Sequence, residues 1–525
     1  MQEQQLHQLA QRAVNQRQFN EAQQALIRIL NNNPNFYDAY FLLGVIEAEL
    51  GSFTKAAALI EKAATLKPLP EYFAHLAKCF AMMGNSNKTY DAIESAKGFE
   101  IKDALTFDTI GVALSRLGDH EQAIEYFEQA IARKETSAFY YNLGASQTFA
   151  GQFEQARYSY EKAIELQPLF YQAHSSLSHL GGISETKNHV DRLMSVYGKM
   201  PHPDAKLHIS HALAKELEAL GRYREAFEYL EAAKRDKRVK LNYQFEQDKT
   251  LFEGMKSLFS EQEIGVEKHD SPCAQPIFVV GMPRSGTTLV ERVLTNNEVV
   301  KSIGERQEFG LALKQLTKTP GRYILDNATI EAARRIDCSV LGRLYLDSLK
   351  TVVEPNQRFV DKMPLNVFYG GLIASALPKA KIICVIRNPM DTVWGNFKQL
   401  FSLNDPYYNY AYDQTSIAKF YAEFIALAEY WQSRFPNQFK IVSYDEFVTS
   451  PQAIGKEMVE FCGLHYDEAM LDITQNRSAV ATASSVQVRT AINTKSLGQW
   501  RRFETWLRPA METFDALGIE LERKH

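Results

Sequence analysis

Residues 279–294, VVGMPRSGTTLVERVL, have the outline of a phosphate-binding loop between a strand and a helix. Gly281 and Gly286 are spaced like the two glycines of G-x-x-x-x-G-K-[ST], the loop that cradles nucleoside triphosphates. Thr288 supplies the hydroxyl of that motif, but Thr287 stands where the motif has the lysine that reaches the β- and γ-phosphates. We therefore expect the loop to bind an anion with a short phosphate chain.

The chemistry of this loop favours an anionic ligand. A loop that leads from a strand into a helix offers backbone N–H groups and the positive end of the helix dipole. Gly286 lets the backbone approach an anion closely, and Arg284 adds a fixed positive charge. The sequence predicts that the ligand is held by Arg284, Ser285, Gly286, Thr287 and Thr288.

Apolar runs that alternate with helical patterns follow residue 276. The strand candidates are PIFVVG, QRFVDK, AKIICVIR and FKIVSYDEF. Continuous apolar strands separated by helices predict a parallel sheet with both faces covered. The mixed segment EKHDSPCAQP, residues 267–276, precedes the first strand. We place a domain boundary there and expect an α/β domain over 266–525.

The N-terminal half repeats with a period of about 34 residues. Each copy has a small residue, a later glycine and then an alanine: Gly44/Gly51/Ala56, Ala77/Gly84/Ala92 (a looser copy), Gly111/Gly118/Ala123, Gly144/Gly151/Ala156 and Ala214/Gly221/Ala226. Such a period, with small residues at helix crossings, is the signature of tetratricopeptide repeats. Glycine ends the first helix of each pair, and small residues let the two helices approach. We expect an α-solenoid over 1–265, with its last clear repeat at about 205–238. We also expect the solenoid to bind a protein or peptide.

Composition argues against several classes of function. The net charge of −4 gives no support for a nucleic-acid binder. The five cysteines are scattered without a CxxC pair, which predicts reduced thiols and a cytoplasmic location. The N-terminus lacks the pattern of a signal peptide, and no apolar run is long enough to span a bilayer. No His, Cys and carboxylate residues have metal-ligand spacing, so we expect neither a metal nor a membrane partner.

The stretch PIFVVGMPRSGTTLVERVL resembles the 5′-phosphosulfate loop of sulfotransferases that use 3′-phosphoadenylyl sulfate (PAPS). Its PRSGTT form is particularly similar to the protein-tyrosine sulfotransferases, and the chain also resembles bacterial proteins with tetratricopeptide repeats ahead of a sulfotransferase domain. In PAPS the phosphate next to the adenosine carries sulfate instead of further phosphates, which agrees with the lost lysine. The resemblance implies a P-loop-like α/β fold, PAPS as donor, adenosine 3′,5′-bisphosphate (PAP) as product, and an acceptor hydroxyl such as that of a protein or peptide tyrosine.

Two further positions match the reactive residues of this family. Glu305 in KSIGERQEFG occupies the Gly-Glu position that serves as catalytic base in the tyrosine sulfotransferases. Lys362 in VDKMP resembles the lysine of the family's N-K-x-P element. The histidines after residue 275, His465 and His525, lie outside any motif. The resemblance therefore implies catalytic roles for Glu305 and Lys362, together with Arg284 of the loop.

The remaining matches concern the nucleotide. Arg387 in CVIRNPMDTVWGNF resembles the arginine that binds the 3′-phosphate, and Tyr444 in VSYDEF resembles the family's Y-E-D-L element. Ser484 and the tail QVRTAINTKSLGQWRRF resemble the C-terminal segment that closes over the nucleotide. The resemblance implies that these residues contact PAPS.

Two positions depart from the family pattern. The family usually has serine eight residues after the 3′-phosphate arginine, where this chain has Gly395 followed by Asn396. The tyrosine sulfotransferases have lysine before the C-terminal tryptophan, where this chain has Gln499. We expect either the Asn396 amide and backbone N–H groups to substitute or the contact to be lost, and Arg501 or Arg502 to supply the missing charge.

Alternatives from other classes remain open. The chain could be a non-catalytic repeat scaffold whose nucleotide domain has degenerated. The departures from the family pattern at Gly395 and Gln499 are consistent with that alternative. The chain could also be a P-loop phosphotransferase, but the absence of the motif lysine argues against that alternative. The aromatic run FKQLFSLNDPYYNYAYD, residues 397–413, either contacts the acceptor or packs on the domain.

Overall fold

The computed structural model describes residues 2–260, 275–321, 323–350, 352–354, 357–403, 405–475 and 490–522. The chain divides into two compact units, Met1–Gly182 and Ile183–His525. No helix in the described ranges is both long and apolar enough to cross a membrane.

The first unit is built of helix pairs. Its helices are α1 Gln2–Asn15, α2 Phe19–Asn32, α3 Tyr37–Glu49, α4 Phe53–Leu66, α5 Pro70–Met82, α6 Ser86–Lys97, α7 Ala104–Leu117, α8 His120–Arg133, α9 Ser137–Phe149, α10 Phe153–Leu166 and α11 Tyr171–His179. The predicted glycines follow the first helices with positive φ: Gly51 82°, Gly84 70°, Gly118 86° and Gly151 81°. Because glycine adopts this conformation without steric cost, it ends each first helix as the repeat pattern predicted.

Small residues mark the contact between the two helices of a pair. A Cβ added to Gly44 would lie 2.4 Å from Ile60, and one added to Gly111 would lie 2.6 Å from Phe127. The partner alanines Ala56, Ala123 and Ala156 are fully buried. The tetratricopeptide architecture predicted from the sequence is therefore confirmed in this unit.

The second unit begins with helices α12 Val190–Lys199, α13 Pro203–Ala219, α14 Tyr223–Leu241 and α15 Glu246–Ser260. A sheet follows, formed by β1 Ile277–Gly281, β2 Val300–Ser302, β3 Arg358–Asp361, β4 Lys381–Ile386 and β5 Phe439–Ser443. The strand order is β2-β3-β1-β4-β5, and every pairing is parallel. The predicted parallel sheet is confirmed, and β1 is buried at every position.

Helices alternate with these strands along the chain. They are α16 Thr287–Thr295, α17 Glu308–Thr317, α18 Asn327–Ala332, α19 Cys338–Ser348, α20 Gly370–Ala376, α21 Pro389–Phe397, α22 Gln414–Arg434, α23 Tyr444–Thr449, α24 Pro451–Phe461 and α25 Arg508–Ala516. After β1 the chain adds β2 and β3 on one side, and β4 and β5 then extend the other side. The crevice outside the carboxyl ends at such a switch point is where α/β sheets bind ligands.

Helices α14 and α15 pack on the sheet domain, although the sequence assigned them to the repeats. Lys234 of α14 is buried, and its Nζ donates to the Ala411 carbonyl oxygen at 3.0 Å. Phe259 of α15 meets Trp431 of α22 edge to face, with ring centroids 5.1 Å apart. The compact units thus divide at residue 182, while the boundary expected at 265 stays a proposal because residues 261–274 lie outside the described ranges. The period of a repeat predicts only how successive helices pack on each other. It does not predict whether a helix also packs on a domain elsewhere in the chain.

Candidate active site

A cavity of about 550 Å³ opens at the carboxyl edge of the sheet. This volume is in the range of small-molecule sites. The walls are the loop after β1 and the segments that follow β2, β3, β4 and β5, together with a C-terminal stretch. The lining residues are Pro283, Arg284, Gly286, Thr287, Thr288, Leu289, Glu305, Pro364, Arg387, Gln399, Phe401, Tyr408, Tyr444, Ile473, Thr490, Ala491, Ile492, Asn493, Lys495, Ser496 and Gln499.

The loop after β1 forms the floor of this cavity. Arg284 and Gly286 both have positive φ, 68° and 104°, and α16 begins directly after Gly286. A Cβ on Gly286 would lie 2.2 Å from Cδ2 of Tyr444, so only glycine fits there. The Ser285 Oγ is buried and has no hydrogen-bond partner among the described residues. A buried hydroxyl without a partner beside a helix N-terminus fits an anion that would accept its hydrogen bond.

Two arginines share one corner of the cavity. Arg387 follows β4, and its guanidinium donates to the Arg284 carbonyl oxygen at 3.4 Å and to the Ser496 carbonyl oxygen. Burial and the neighbouring charge of Arg387 lower the pKa of Arg284 to about 10. The Nε of Arg387 is buried with no hydrogen-bond partner in the described part of the chain. Two cations that repel each other in a desolvated corner are stabilised when an anion binds between them.

Glu305 and Lys362, both predicted to be catalytic, are in contact. Lys362 follows β3, is 1% exposed, and donates from Nζ to the carboxylate of Glu305. The Lys362 backbone N–H donates to the Gly304 carbonyl oxygen at 3.1 Å, which aligns the loop after β2 with the end of β3. The Glu305 side chain is 43% exposed and lines the cavity. The structure thus places a carboxylate on the cavity wall with a buried ammonium in contact with it.

A second carboxylate lies behind this pair. Glu291 Oε2 of α16 is 3.8 Å from the Nζ of Lys362, and Ser302 donates to the Glu291 carboxylate at 2.5 Å. Burial raises the pKa of Glu291, and the charge of Lys362 opposes that shift. The sequence analysis did not single out Glu291, because its importance depends on a contact between α16 and the end of β3.

The C-terminal stretch covers the opposite side of the cavity. The hydroxyls of Tyr444 and Ser496 lie 2.7 Å apart, and the Arg387 guanidinium stacks 4.8 Å from the Tyr444 ring centroid. Asp391 of α21 accepts from the backbone N–H of Gly498 at 2.7 Å and so holds the tail. Ser484, which the sequence assigned to the same segment, lies outside the described residues.

The structure does not bring Asn396 and Arg501 to the cavity wall. Asn396 is fully buried, and its amide donates to the carbonyl oxygens of Pro283 and Thr392, each at 2.9 Å. One amide hydrogen therefore holds the loop after β1, and the other bonds within α21. The Arg501 guanidinium is paired with Glu522 at 2.6 Å on an exposed surface. Gln499, by contrast, lines the cavity.

The aromatic run contributes two rings to the cavity. Phe401 and Tyr408 stack with centroids 4.5 Å apart, and both are lining residues. Tyr410 is instead fully buried against Phe420, at 3.9 Å between centroids. The run therefore packs on the domain through Tyr410, while contact between Phe401 or Tyr408 and an acceptor stays a prediction. Across the described ranges, no group of three His, Cys, Asp or Glu residues could hold a metal ion.

Comparison with known families finds a match within each half of the chain. Residues 276–468 match the sulfotransferase family, and residues 7–69 and 109–169 match the tetratricopeptide repeat. These matches confirm the resemblance to a repeat-bearing sulfotransferase.

Three curated relatives are similar over part of their length. An uncharacterized protein of Aquifex aeolicus is 31% identical over 57% of this chain and 40% of its own length. A putative protein-tyrosine sulfotransferase of Caenorhabditis briggsae is 25% identical over 43% of this chain and 80% of its own. A protein-tyrosine sulfotransferase of Drosophila melanogaster is 20% identical over 43% of this chain and 46% of its own. The chain thus spans less than half of two of these relatives.

Two solved structures are similar at low scores. The sulfotransferase domain of the Synechococcus olefin synthase is 15% identical with a TM-score of 0.33, over 50% of this chain and 100% of its own. A tetratricopeptide-repeat protein of Thermus thermophilus is 18% identical with a TM-score of 0.32, over 34% of this chain and 98% of its own.

Proposed function

We propose that this chain, which carries a sulfotransferase-family domain behind tetratricopeptide repeats, transfers a sulfuryl group from PAPS to an acceptor hydroxyl. One observation carries the proposal. A glycine loop that lacks the triphosphate-binding lysine faces, across one cavity, the contact between Glu305 and Lys362. The glycine loop suits a ligand with a short phosphate chain. The carboxylate of Glu305 suits removal of the acceptor's proton, and the ammonium of Lys362 suits stabilisation of the departing anion.

The residues divide into binding and reacting groups. The loop N–H groups with Arg284, Ser285, Thr287 and Thr288 would hold the 5′-phosphosulfate, and Arg387 would hold the 3′-phosphate. Tyr444 and the stretch 490–499 would close over the nucleotide, since they line the same cavity.

The reaction requires one proton transfer and one exchange of bonds to sulfur. The acceptor O–H gives its proton to the Glu305 carboxylate while the acceptor oxygen bonds to sulfur. The bond between sulfur and the phosphate oxygen breaks, and the released electron pair stays on the phosphate of PAP. Lys362 would stabilise that charge, and its ammonium is buried where water screens it little. Positioning of donor and acceptor supplies the rest, as in phosphoryl transfer.

Acceptor, partner and location belong to the same proposal. Two relatives named as protein-tyrosine sulfotransferases support a tyrosine hydroxyl of a protein or peptide as the acceptor. The repeats support a protein or peptide partner, which is their usual ligand. The scattered cysteines support a cytoplasmic location.

The phosphate loop is tested by Arg284→Ala. We expect PAP affinity to fall by about 1.5–3 kcal/mol, the range for a hydrogen bond to a charged group. Titration calorimetry on the full chain measures this, with Arg502→Ala as the control because Arg502 lies outside the cavity lining. ATP should bind poorly, and added Mg²⁺ should not improve PAP binding. Equal PAP affinity in the parent and in Arg284→Ala would refute the assignment of the loop.

A further inference from the structure

Helix α16 carries a buried carboxylate that the proposed reaction does not use. Glu291 lies in the second turn of this helix, which begins at the end of the phosphate loop. Its side chain is 11% exposed and does not line the cavity, whereas the Glu305 side chain is 43% exposed and lines it. Glu291 is therefore not placed to take a proton from an acceptor itself, and any part that it has in the reaction goes through a neighbouring group.

That neighbour is the ammonium of Lys362, which lies between two carboxylates. Its Nζ donates to Glu305 and lies 3.8 Å from Oε2 of Glu291. The Lys362 side chain is 1% exposed, so these carboxylates rather than water balance its charge. Burial raises the pKa of Glu291, the charge of Lys362 lowers it, and the charge of Glu305 raises it further. The two carboxylates thus repel each other and share one cation.

Hydrogen bonds fix the direction in which the Glu291 side chain points. Its Oε1 accepts from the Ser302 hydroxyl at 2.5 Å, and the Ser302 Oγ accepts from the backbone N–H of Gly304 at 3.1 Å. The Gly304 carbonyl oxygen in turn accepts from the backbone N–H of Lys362 at 3.1 Å. Oε2 of Glu291 is then the oxygen that faces the ammonium. These contacts join the helix of the phosphate loop to the ends of β2 and β3.

Two further charged residues act on Glu291. Arg292, the next residue of α16, lowers the pKa of Glu291 less than Lys362 does. Asp361 precedes Lys362, is fully buried and accepts from the Tyr345 hydroxyl at 2.8 Å. Burial raises the pKa of Asp361 to about 8, so this carboxyl group is mostly protonated at neutral pH and adds little negative charge. The countercharge of Lys362 therefore comes from Glu291 and Glu305.

The proposed reaction removes one of these two countercharges. When Glu305 takes the acceptor's proton, its carboxylate becomes neutral. The Lys362 ammonium then has Glu291 as its remaining charged carboxylate partner. A buried cation that has lost every countercharge is strongly destabilised and tends to give up its proton. Glu291 is placed to prevent that loss.

We propose that Glu291 is a positioning residue, which keeps the Lys362 ammonium charged and in place while Glu305 holds the acceptor's proton. This inference rests on the proposed function, because it assigns a role within that reaction. The sharing of one ammonium by two carboxylates, however, is a property of the chain without any ligand. It can therefore be tested separately from sulfate transfer.

The first experiment separates turnover from binding, with labelled PAPS for turnover and titration with PAP for affinity. We expect Glu291→Gln to lower turnover by at least about tenfold and to keep PAP affinity within about twofold, because the second carboxylate matters while Glu305 is neutral. Glu291→Asp keeps the charge and should stay within about threefold of the parent's turnover. Glu298→Gln, which removes an exposed carboxylate just after α16, is the control and should change neither quantity.

The second experiment compares melting temperatures without any ligand. Glu291→Gln and Glu305→Gln each leave the ammonium one carboxylate, and the double variant leaves it none. We expect the melting temperature of the double variant to fall at least about 3 °C further than the sum of the two single shifts. In a Lys362→Met background no ammonium needs a countercharge, so adding Glu291→Gln should not lower the melting temperature further.

Several results would overturn the inference. Turnover of Glu291→Gln equal to the parent's, or melting shifts that merely add, would show that Glu291 does not support the ammonium. A loss of turnover in Glu291→Asp as large as in Glu291→Gln would show that the charge is not what matters. A matching loss of PAP affinity in Glu291→Gln would show that Glu291 supports only the helix of the phosphate loop. A parent that transfers no sulfate would instead contradict the proposed function, and the melting temperatures would still decide whether the two carboxylates share Lys362.

Discussion

Glu305→Gln is expected to transfer sulfate at least about a hundredfold more slowly than the parent while binding PAP equally well. Glutamine keeps the shape of the side chain and can still accept from Lys362, but it cannot take a proton at neutral pH. The Glu305 side chain reaches the cavity and contacts the buried ammonium. Its loss should therefore appear in turnover, measured with labelled PAPS, and not in nucleotide affinity.

Glu308→Gln is the matched control for this experiment. Glu308 begins α17 three residues later, pairs with Arg306 at 2.6 Å, and is not among the cavity-lining residues. We expect its glutamine variant to keep most of the parent's turnover. An inactive Glu308→Gln beside a nearly normal Glu305→Gln would show that the wrong carboxylate has been assigned as the base.

Gly286→Ala is expected to weaken PAP binding by about 2 kcal/mol or more, roughly thirtyfold. The new methyl carbon would sit 2.2 Å from Cδ2 of Tyr444, and the φ of 104° already excludes most side chains. Either the loop or Tyr444 must move, and both line the cavity. Calorimetric titration with PAP measures the loss, and a thermal melt shows whether the variant is folded.

Gly304→Ala is the control that separates the effect of backbone strain from the effect of a steric clash in Gly286→Ala. Gly304 also has a positive φ, 71°, but an added Cβ would meet no atom within 4 Å. It precedes Glu305, which lines the cavity, but is not a lining residue itself. Its alanine variant should bear a strain of about 1 kcal/mol and bind PAP nearly as well as the parent. Equal loss of PAP affinity in both variants would contradict the steric account of Gly286.

The repeats and the phosphate loop could be predicted because their signals are local. A glycine that ends a helix, such as Gly118, needs only its own positive φ. The loop at 281–288 is likewise defined by adjacent residues. Strand β2, Val300–Ser302, was not predicted, because three residues give too short an apolar run to recognise.

The parts of the site that join distant segments could be predicted only where the family resemblance named them. Glu305 and Lys362 meet because β2 and β3 are neighbouring parallel strands, with Ser302 opposite Val360. The contact between Glu291 and Lys362 likewise joins a helix and a strand end that are far apart in the sequence. Neither a period nor a motif carries that information. At Asn396 the resemblance was misleading. This residue follows the position at which the family has serine, so a nucleotide contact was expected, but its amide donates to the loop after β1 instead.

Transfer of labelled sulfate from PAPS tests the central claim most directly. The full chain and its Glu305→Gln variant would be incubated with tyrosine peptides, glycans and small phenols, without added metal. We predict that the parent labels at least one class of hydroxyl acceptor and that Glu305→Gln labels it at least about a hundredfold more slowly. A parent that binds PAP yet labels no acceptor would contradict this account and favour a non-catalytic scaffold.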